Sequence, residues 1–229
     1  MKDVLGQAMH DYYFKNNPQT LWIHNNYGED EDMPVKKYFR DEDAMPKLER
    51  MALGLCKGKV LDVGAGVGSH TLALQAKGFD VTAIDISPKA AEVMQHRGVK
   101  KVETGDIFLY QKDTFDTLLF MMNGIGFTGN IDRLRLFLQY AKTLVNPGGQ
   151  LLSDSSDVAY LYNYKPPKRE EYYGIITYQY EYKKEKTDWF TWMYIDRNLL
   201  AKTAGEEGWK TEVLGEDRWD KFLVRLTLK

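Results

Sequence analysis

The chain of 229 residues has very little cysteine and no long apolar run. A single cysteine, Cys56, excludes an internal disulfide and a cysteine metal cluster, and it is typical of a reducing compartment. No apolar run approaches the length of a membrane span, and residues 1–14 hold no run long enough for a signal peptide. We therefore expect a cytoplasmic protein with no membrane partner.

An excess of charge of one sign is also missing. The 31 basic and 33 acidic residues give a formal net charge of −2, so nothing draws the chain electrostatically to nucleic acid or to an anionic surface. Hydrophobic residues make up 43% of the sequence and charged residues 28%, which is the balance of an ordinary globular protein. The length fits one domain with a sizeable core.

One stretch carries most of the functional information: KVLDVGAGVGSHT, residues 59–71. A short apolar run leads into glycines at positions 64, 66 and 68, and a helix-like segment follows. Glycine lets a ligand approach the backbone closely, and a helix N-terminus presents free N–H groups. The pattern predicts a nucleotide-sized pocket, and the alternative is a tight turn without a ligand. Three glycines in five residues weaken local structure by up to roughly 1 kcal/mol each, which favours the pocket.

The spacing of this turn also indicates which kind of nucleotide it suits. A dinucleotide fingerprint, G-x-G-x-x-G, would have its third glycine at the position of Ser69, whereas here it comes early, at Gly68. Asp62, two residues before the first glycine, would place negative charge near a pyrophosphate. The same carboxylate suits an ammonium or a sulfonium. The pattern therefore favours a positively charged adenosine derivative over a dinucleotide.

Strands and helices alternate from about Met45 to Asp157. Apolar patterns predict strands over residues 59–63, 80–84, 101–104, 117–121 and 150–153, and helices over 69–77, 88–98 and from Asn130 to a break at 146–149. Ser87 followed by proline predicts a helix cap, and Gly78 predicts a helix end. Alternating strands and helices with short turns predict an α/β fold with a doubly wound parallel sheet.

The two flanks of this region have a different character. Residues 1–50 are expected to form a helix or two around an acidic, aromatic loop, as a cap over the sheet edge. After residue 157 a loop over 160–173 precedes two strands, 175–182 and 189–195, in a hairpin around 183–188. A helix capped by Asp196 and strands over 210–214 and 221–227 follow. We expect a single domain, with a cap (1–50), a cofactor-binding core (51–157), a lid (158–195) and a C-terminal helix and strand pair (196–229).

Five motifs in order resemble the class I S-adenosylmethionine-dependent methyltransferases over roughly residues 55–157. The motifs are VLDVGAGVGSH at 60–70, Asp85 in VTAIDIS, Asp106 in TGDIF, FDTLLFMMNGIG at 115–126 and VNPGGQLL at 145–152. The resemblance implies a Rossmann-like methyltransferase fold, a mostly parallel seven-stranded sheet with an N-terminal helical cap and a β-hairpin insertion after strand five. It also implies S-adenosylmethionine as cofactor and S-adenosylhomocysteine as product.

The resemblance implies roles for three acidic residues. Asp62 would lie near the methionine ammonium of the cofactor. Asp85 would accept both ribose hydroxyls, because a carboxylate is a natural acceptor for a vicinal diol; a helix N-cap is the alternative. Asp106 would accept from the adenine amino group, and an ordinary turn residue is the alternative.

Apolar and glycine positions complete the implied cofactor site. The backbone of the glycine-rich turn would approach the methionine and the ribose, two isoleucines would lie against the adenine ring, and the end of strand four would lie beside the sulfonium, since ligands bind outside the carboxyl ends of such strands. These residues are Gly64, Ala65, Gly66, Gly68, Ile86, Ile107, Met122, Asn123 and Gly124.

Two differences from particular branches of this family narrow the possible chemistry of the methyl transfer. Branches that methylate nucleobases or glutamine carry Asn/Asp-Pro-Pro-aromatic after strand four, whereas residues 122–126 read MNGIG, without proline. This difference counts against nucleic-acid and protein-glutamine acceptors and favours a small molecule. An Asp–Lys–Glu metal arrangement of the catechol type is not recognisable, so no metal is expected. Asp154 and Asp157 are predicted to cap and turn, and cation binding is the alternative.

Methyl transfer is an in-line displacement, so alignment of the acceptor with the methyl group can supply much of the rate. A general base is needed only for acceptors that must lose a proton, and the candidates are His24, Tyr27 and Tyr160. The candidate acceptor-binding residues are Tyr38, Phe39, Arg40, Trp189 and Trp192. Structural alternatives are a structural or surface role for His24, a surface ion pair for Arg40 and simple hairpin packing for the tryptophans.

Three other functions stay open on the same sequence. One is an aminopropyltransferase that uses decarboxylated cofactor, and another is a nucleotide-dependent oxidoreductase, although its third glycine is missing. The third is a protein that binds S-adenosylmethionine without catalysis, which would have no acceptor cavity beside the methyl group.

Overall fold

The computed structural model describes residues 2–15, 19–167 and 171–229. Backbone contacts divide the chain into two compact units, and each unit is built from several segments. The first unit contains Met1–Met45, Leu61–Tyr110 and Thr177–Phe190, and the second contains Pro46–Val60, Gln111–Ile176 and Thr191–Lys229.

The described residues form an α/β structure. The α-helices are α1 (Val4–Lys15), α2 (Lys47–Leu55), α3 (Ser69–Ala76), α4 (Pro88–His96), α5 (Ile131–Ala141) and α6 (Arg197–Glu206). The strands are β1 (Leu21–Asn25), β2 (Glu31–Met33), β3 (Lys59–Val63), β4 (Asp80–Asp85), β5 (Val102–Thr104), β6 (Phe115–Phe120), β7 (Val145–Ser156), β8 (Ile175–Tyr182), β9 (Glu185–Lys186), β10 (Phe190–Met193), β11 (Trp209–Glu216) and β12 (Lys221–Leu228).

Seven of these strands form one sheet in the order β11-β12-β7-β6-β3-β4-β5. The pairs β4–β5 and β6–β7 are parallel, whereas β12 runs antiparallel to both β7 and β11. Strand β6 is apolar because it is covered on both faces, and Leu118, Leu119 and Phe120 are fully buried. The predicted mostly parallel, seven-stranded Rossmann-like fold is confirmed.

The predicted helix caps are confirmed at the level of single hydrogen bonds. The Ser87 side chain accepts from Ala90 N at 2.9 Å, and Asn130 Oδ1 accepts from Arg133 N at 2.9 Å. Asp196 caps α6 in the same way. These side chains satisfy backbone N–H groups that have no partner inside the helix. Gly78 follows the end of α3 with a φ of +85°, as expected of a glycine at a helix end.

The helical cap carries two strands that the sequence analysis did not predict. Between α1 and α2 the chain forms the antiparallel pair β1–β2 and two short 3-10 helices, Val35–Phe39 and Glu42–Ala44. Strand β1 also pairs with β8, where Trp22 faces Glu181 and Ile23 faces Tyr180. A partner this far away in the sequence leaves no local signal. In the structure, Leu21 and Ile23 are buried and Trp22 between them is exposed, as expected of a half-buried strand.

Two predicted turns were wrong in detail. The hairpin turn after β8 is only two residues long, because Lys183 and Lys184 both adopt left-handed φ values and the chain pairs again at once as β9. The predicted break at residues 146–149 lies within β7. The partner of β7 shifts from Phe115 at Val145 to Thr117 at Gln150, so the Pro-Gly segment forms a bulge within the strand.

The structure also gives the position of the single cysteine and the lengths of the helices. Cys56, just after α2, is buried, and its Sγ lies 3.4 Å from Ala52 O. Among the described residues, the helices are all too short or too polar to cross a membrane.

Trp209 provides a test of the packing in the second unit. Its side chain is fully buried and its Nε1 donates to Leu138 O of α5 at 3.0 Å. Trp209→Ala should lower the free energy of unfolding by about 3–5 kcal/mol because it removes a large buried ring. Trp209→Phe should cost about 1–2 kcal/mol, mainly because Leu138 O loses its donor. Urea unfolding measures both values.

The control is Trp219→Ala, because Trp219 is 68% exposed. Its free energy of unfolding should stay within about 0.5 kcal/mol of the wild-type value. Equal losses in Trp209→Ala and Trp219→Ala would contradict the packing described for α5 and β11.

Candidate cofactor site

The glycine-rich turn after β3 is held by backbone geometry that only glycine adopts easily. Gly64, Gly66 and Gly68 have φ values of +68°, +57° and +79°. A Cβ at Gly64 would meet no atom within 4 Å, so conformation alone requires glycine there, and the space beside it is open. A Cβ at Gly68 would lie 2.7 Å from Val99 Cγ2, so this glycine also permits close packing. The side chain of Ala65 is buried in an apolar cluster.

Asp85 at the end of β4 is tied directly to this turn. Its Oδ2 accepts from Gly66 N at 2.8 Å and its Oδ1 accepts from Ser87 N at 2.8 Å. Each carboxylate oxygen has a further lone pair, so Asp85 can accept two more hydrogen bonds. Burial raises the pKa of Asp85 to about 6, although the two N–H donors oppose that rise. The result is a fixed carboxylate with acceptor capacity left for a diol.

Asp62, the last acidic residue before the turn, lies in β3 and is buried. Burial raises the pKa of its carboxyl, and the charge of His70 together with the Thr71 hydroxyl opposes the rise. Thr71 Oγ1 donates to Asp62 Oδ2 at 2.6 Å, which joins β3 to α3. A cation near Asp62 would favour its ionised form, as the predicted role requires.

The predicted adenine-binding residues differ in their exposure. Ile86 is 73% exposed, which is unusual for an isoleucine and leaves an apolar surface beside Asp85. Ile107 is buried instead. Asp106 is exposed and accepts from Phe108 N at 3.0 Å, which caps a 3-10 helix, Ile107–Leu109. Leu109 is also highly exposed, and nothing in the sequence pattern had pointed to it.

Tyr38 and Phe39 lie against the glycine-rich turn. Tyr38 O accepts from Ser69 Oγ at 2.6 Å, and Tyr38 Cδ1 lies 4.0 Å from the position that a Cβ of Gly66 would take. Phe39 stacks under the guanidinium of Arg97, 5.2 Å from the ring centre. Arg40 follows at the end of the same 3-10 helix and is half-buried.

Arg97 also contacts the glycine-rich turn, a contact that the sequence did not predict. Its Nη1 donates to Val67 O at 2.6 Å and to Ser69 Oγ at 3.1 Å, so it braces the turn from the end of α4. A basic residue at a helix C-terminus is common for electrostatic reasons, so its sequence position gave no functional signal.

In the second unit, the chain after β6 makes two successive left-handed residues, Met122 and Asn123, each with a φ of 59°. Asn123 is buried, and its N donates to Asp154 Oδ1 at 2.8 Å. Its Nδ2 donates to Met193 O at 3.1 Å and its O accepts from Trp192 Nε1 at 3.1 Å. Among the described residues, Asn123 Oδ1 has no hydrogen-bond donor. Non-glycine residues in this conformation are strained and cluster at functional sites.

The prediction of a cap or turn at Asp154 was wrong. It is fully buried within β7, and its Oδ2 lies 2.6 Å from Lys221 Nζ. Burial of Lys221 opposes its charge, but the Asp154 carboxylate keeps the lysine pKa raised. Asp157 does form the predicted turn, since its Oδ1 accepts from Ala159 N at 2.9 Å.

The two candidate tryptophans have different surroundings. Trp192 packs closely on the 3-10 helix that begins at Gly124. A Cβ on Gly126 would lie only 2.2 Å from Trp192 Nε1. Trp189, in the first unit, is about half exposed.

The three candidate general bases have different surroundings. His24 Nδ1 lies 2.8 Å from Asp30 Oδ2 and its Nε2 lies 2.9 Å from Glu181 Oε2. Glu181 and then Asp30 raise the pKa of His24, so the ring holds its proton more tightly than a free imidazole. Tyr27 Oη donates to Glu31 Oε1 at 2.6 Å, and Tyr160 is half exposed. A proton-acceptor role stays a prediction for all three.

Comparisons with known proteins agree with this arrangement. A family profile described as a methyltransferase domain matches residues 37–198, well over half of the chain. A crystal structure of a SAM-dependent methyltransferase from Bacteroides fragilis, in complex with S-adenosyl-L-homocysteine, is 40% identical. That match covers 99% of this chain and 95% of the other, with a TM-score of 0.92.

Two curated relatives match over shorter segments. Demethylmenaquinone methyltransferase from Tropheryma whipplei is 33% identical over 107 residues, 44% of this chain and 43% of that protein. Magnesium-protoporphyrin O-methyltransferase from Rhodobacter capsulatus is 29% identical over 90 residues, 38% of this chain and 40% of that protein. The chain thus spans less than half the length of these curated relatives.

The chain belongs to the methyltransferase-domain family. It is an enzyme, a class I S-adenosylmethionine-dependent methyltransferase, and S-adenosylmethionine is its cofactor. The residues present fit that cofactor, because the backbone at Gly64 is open and Gly66 of the same turn donates to Asp85, a fixed carboxylate with spare lone pairs.

Asp85 should make stability depend on pH in the absence of ligand. The pKa of Asp85 is about 6 in the folded chain against an ordinary value of 3.8, so folding takes up a proton within this window. The stabilising contribution of protonated Asp85 is complete below the pKa of the unfolded chain, 3.8, and is lost as the pH rises through the folded value of about 6. Relative to Asp85→Asn, the wild-type free energy of unfolding should therefore fall by about 2–3 kcal/mol across the window.

Urea unfolding at a series of pH values measures this difference. The amide of the variant cannot titrate, and any constant loss from its altered hydrogen bonds leaves the slope unchanged. A difference that stays flat across the window would contradict the burial of an ionisable Asp85.

Proposed function

We propose that this protein transfers the methyl group of S-adenosylmethionine to a small-molecule acceptor by in-line displacement. The observation that carries the cofactor half of this proposal is the Asp85 carboxylate. Two backbone N–H groups, from Gly66 and Ser87, fix its orientation, and each oxygen keeps a lone pair for a ribose hydroxyl.

The other cofactor roles follow from the same turn. We propose that the backbone at Gly64, Gly66 and Gly68 lies against the methionine and ribose, since no Cβ stands in the way. Asp62 attracts the methionine ammonium as a buried carboxylate. The exposed apolar face of Ile86 supplies a surface for the adenine ring, and Asp106 accepts from the adenine amino group. Ala65, Ile107, Met122, Asn123 and Gly124 keep their cofactor roles as predictions from the resemblance.

The protein's part in the reaction is chiefly to bind and orient. When bound, the cofactor supplies a methyl carbon already activated by its sulfonium. Fixing the ribose through Asp85 removes freedom from the reactant, and proximity of this kind can supply much of the rate. A base is required only if the acceptor must lose a proton before attack. His24, clamped between two carboxylates, fits an ion-pair role better than that of a free base.

A small molecule is the acceptor class with the most support. The segment after β6 lacks the proline pair of nucleobase and glutamine methyltransferases. The names of the two curated relatives specify demethylmenaquinone and magnesium-protoporphyrin, both small molecules. We propose that Tyr38, Phe39, Arg40, Trp189 and Trp192 contribute to acceptor binding. Aromatic faces can bind an apolar or cationic compound, and the Arg40 guanidinium can pair with an acidic group.

Substitution of Asp85 tests the cofactor site directly. Asp85→Ala removes both acceptor oxygens, so S-adenosylhomocysteine should bind at least about tenfold more weakly, roughly 1.4 kcal/mol. Calorimetric titration of purified, ligand-free protein gives the dissociation constant. The control is Asp80→Ala at the other end of β4, where Asp80 is exposed and pairs at the surface with Lys101 at 2.6 Å.

Unchanged affinity in Asp85→Ala would overturn the assigned role of Asp85. If the wild-type protein binds S-adenosylmethionine but transfers no labelled methyl group to any member of a broad panel of small molecules, the small-molecule acceptor would be contradicted. Transfer to a nucleic acid or a protein in the same assay would contradict it as well.

A further inference from the structure

The first helix begins against the turn that carries Asp85. The two carboxylate oxygens of Asp3, one residue before α1, accept hydrogen bonds from two different helix N-termini. Asp3 Oδ1 accepts from Gly6 N at 3.0 Å and so caps α1. Asp3 Oδ2 accepts from Ser87 Oγ at 2.7 Å and lies 3.4 Å from Lys89 N, at the start of α4. One side chain therefore joins the N-termini of two helices.

Ser87 is the residue through which this junction reaches Asp85. Its backbone N donates to Asp85 Oδ1 at 2.8 Å, while its Oγ accepts from Ala90 N at 2.9 Å. The hydroxyl hydrogen goes to Asp3. Both hydrogen-bonding functions of the Ser87 side chain are thus used, and its position follows that of Asp3. A shift of Ser87 would move one of the two N–H donors that orient the Asp85 carboxylate.

Gly6 allows the close approach of α1 to this turn. A Cβ at Gly6 would lie 2.1 Å from Ser87 Oγ and 2.2 Å from Asp3 Oδ1. The requirement is for space, because the φ of Gly6 is not left-handed. Below the junction the apolar side chains of α1 pack with α4 in one buried cluster, which contains Val4, Ala8, Met9, Ala90 and Val93. The junction is therefore the polar end of a packed helix pair.

We infer that Asp3 is a positioning residue for the cofactor, acting through Ser87 on Asp85, and that Gly6 makes its position possible. Docking of α1 and binding of the ribose are then coupled. The coupling is reciprocal, so a ligand that needs the docked arrangement must also stabilise it. The inference rests on the proposed role of Asp85 and extends it to a helix that contains none of the predicted cofactor residues.

Calorimetric titration with two probes tests the inference. Asp3→Ala and Gly6→Ala should each weaken binding of S-adenosylhomocysteine by about fivefold, the size of one ordinary hydrogen bond. With the 2′,3′-dideoxy analogue, which has no ribose hydroxyls, the same variants should bind as the wild type does. Gly54→Ala in α2 is the matched control, because a Cβ there meets no atom within 4 Å. Asp3→Asn should fall between wild type and Asp3→Ala, since its amide can still bond to Gly6 N and Ser87 Oγ.

The outcomes separate this inference from the proposed function. If Asp85→Ala binds weakly while Asp3→Ala and Gly6→Ala bind normally, the positioning role is overturned and the role of Asp85 stands. If Asp85→Ala itself binds normally, the proposed function of Asp85 fails. An equal loss for both probes would mean a general weakening of the fold, which also overturns the inference.

Amide hydrogen exchange on the wild-type protein needs no variant to fold. S-Adenosylhomocysteine should slow exchange in α1 beyond any change in α6, which serves as the reference helix, because bound ligand favours the docked helix. The dideoxy analogue should slow α1 less. Exchange in α1 that is unaffected by S-adenosylhomocysteine would overturn the coupling.

Discussion

The orientation of one buried carboxylate is the constraint on which the proposed cofactor site depends. Asp85 is held from two sides, by Gly66 N from the glycine-rich turn and by Ser87 N from the start of α4. The turn can supply its donor only because glycine adopts a left-handed conformation there. The helix can supply the other because Ser87 is fixed as its N-cap. Two local features of the sequence thus meet on a single side chain.

Local signals predicted most of the fold. Strand β3 runs over the predicted residues, the capping residues Ser87, Asn130 and Asp196 all act as predicted, and the glycine-rich turn has the expected left-handed backbone. Each depends on a few neighbouring residues. Strands β1 and β2 escaped prediction because their pairing, including that of β1 with β8, joins segments far apart in the sequence. The division into one domain with a cap and a lid stays a prediction.

The geometry of the candidate site divides in the same way between local and long-range signals, while the cofactor roles stay predictions. The glycines and Asp85 belong to two short motifs, whereas the contacts of Arg97, Asp3 and Gly6 form only in the folded chain. Asp154 was misread because an aspartate near the end of an apolar run resembles a turn residue. Its half-buried partner Lys221 lies on β12, far along the sequence. Pairing of buried charges is a property of tertiary structure, and sequence order does not reveal it.

Burial of Asp62 and Asp85 makes ligand supply part of the folding equilibrium. Both carboxyls have a raised pKa, so near neutral pH the folded chain bears the strain of acids that would ionise more readily in water. In its proposed position, the cofactor would bring a cation to Asp62 and hydroxyl groups to Asp85, relieve that strain and shift the balance towards the folded state. The lifetime of the protein in a cell would then follow the concentration of its own cofactor, which makes abundance as well as turnover responsive to methyl-donor supply.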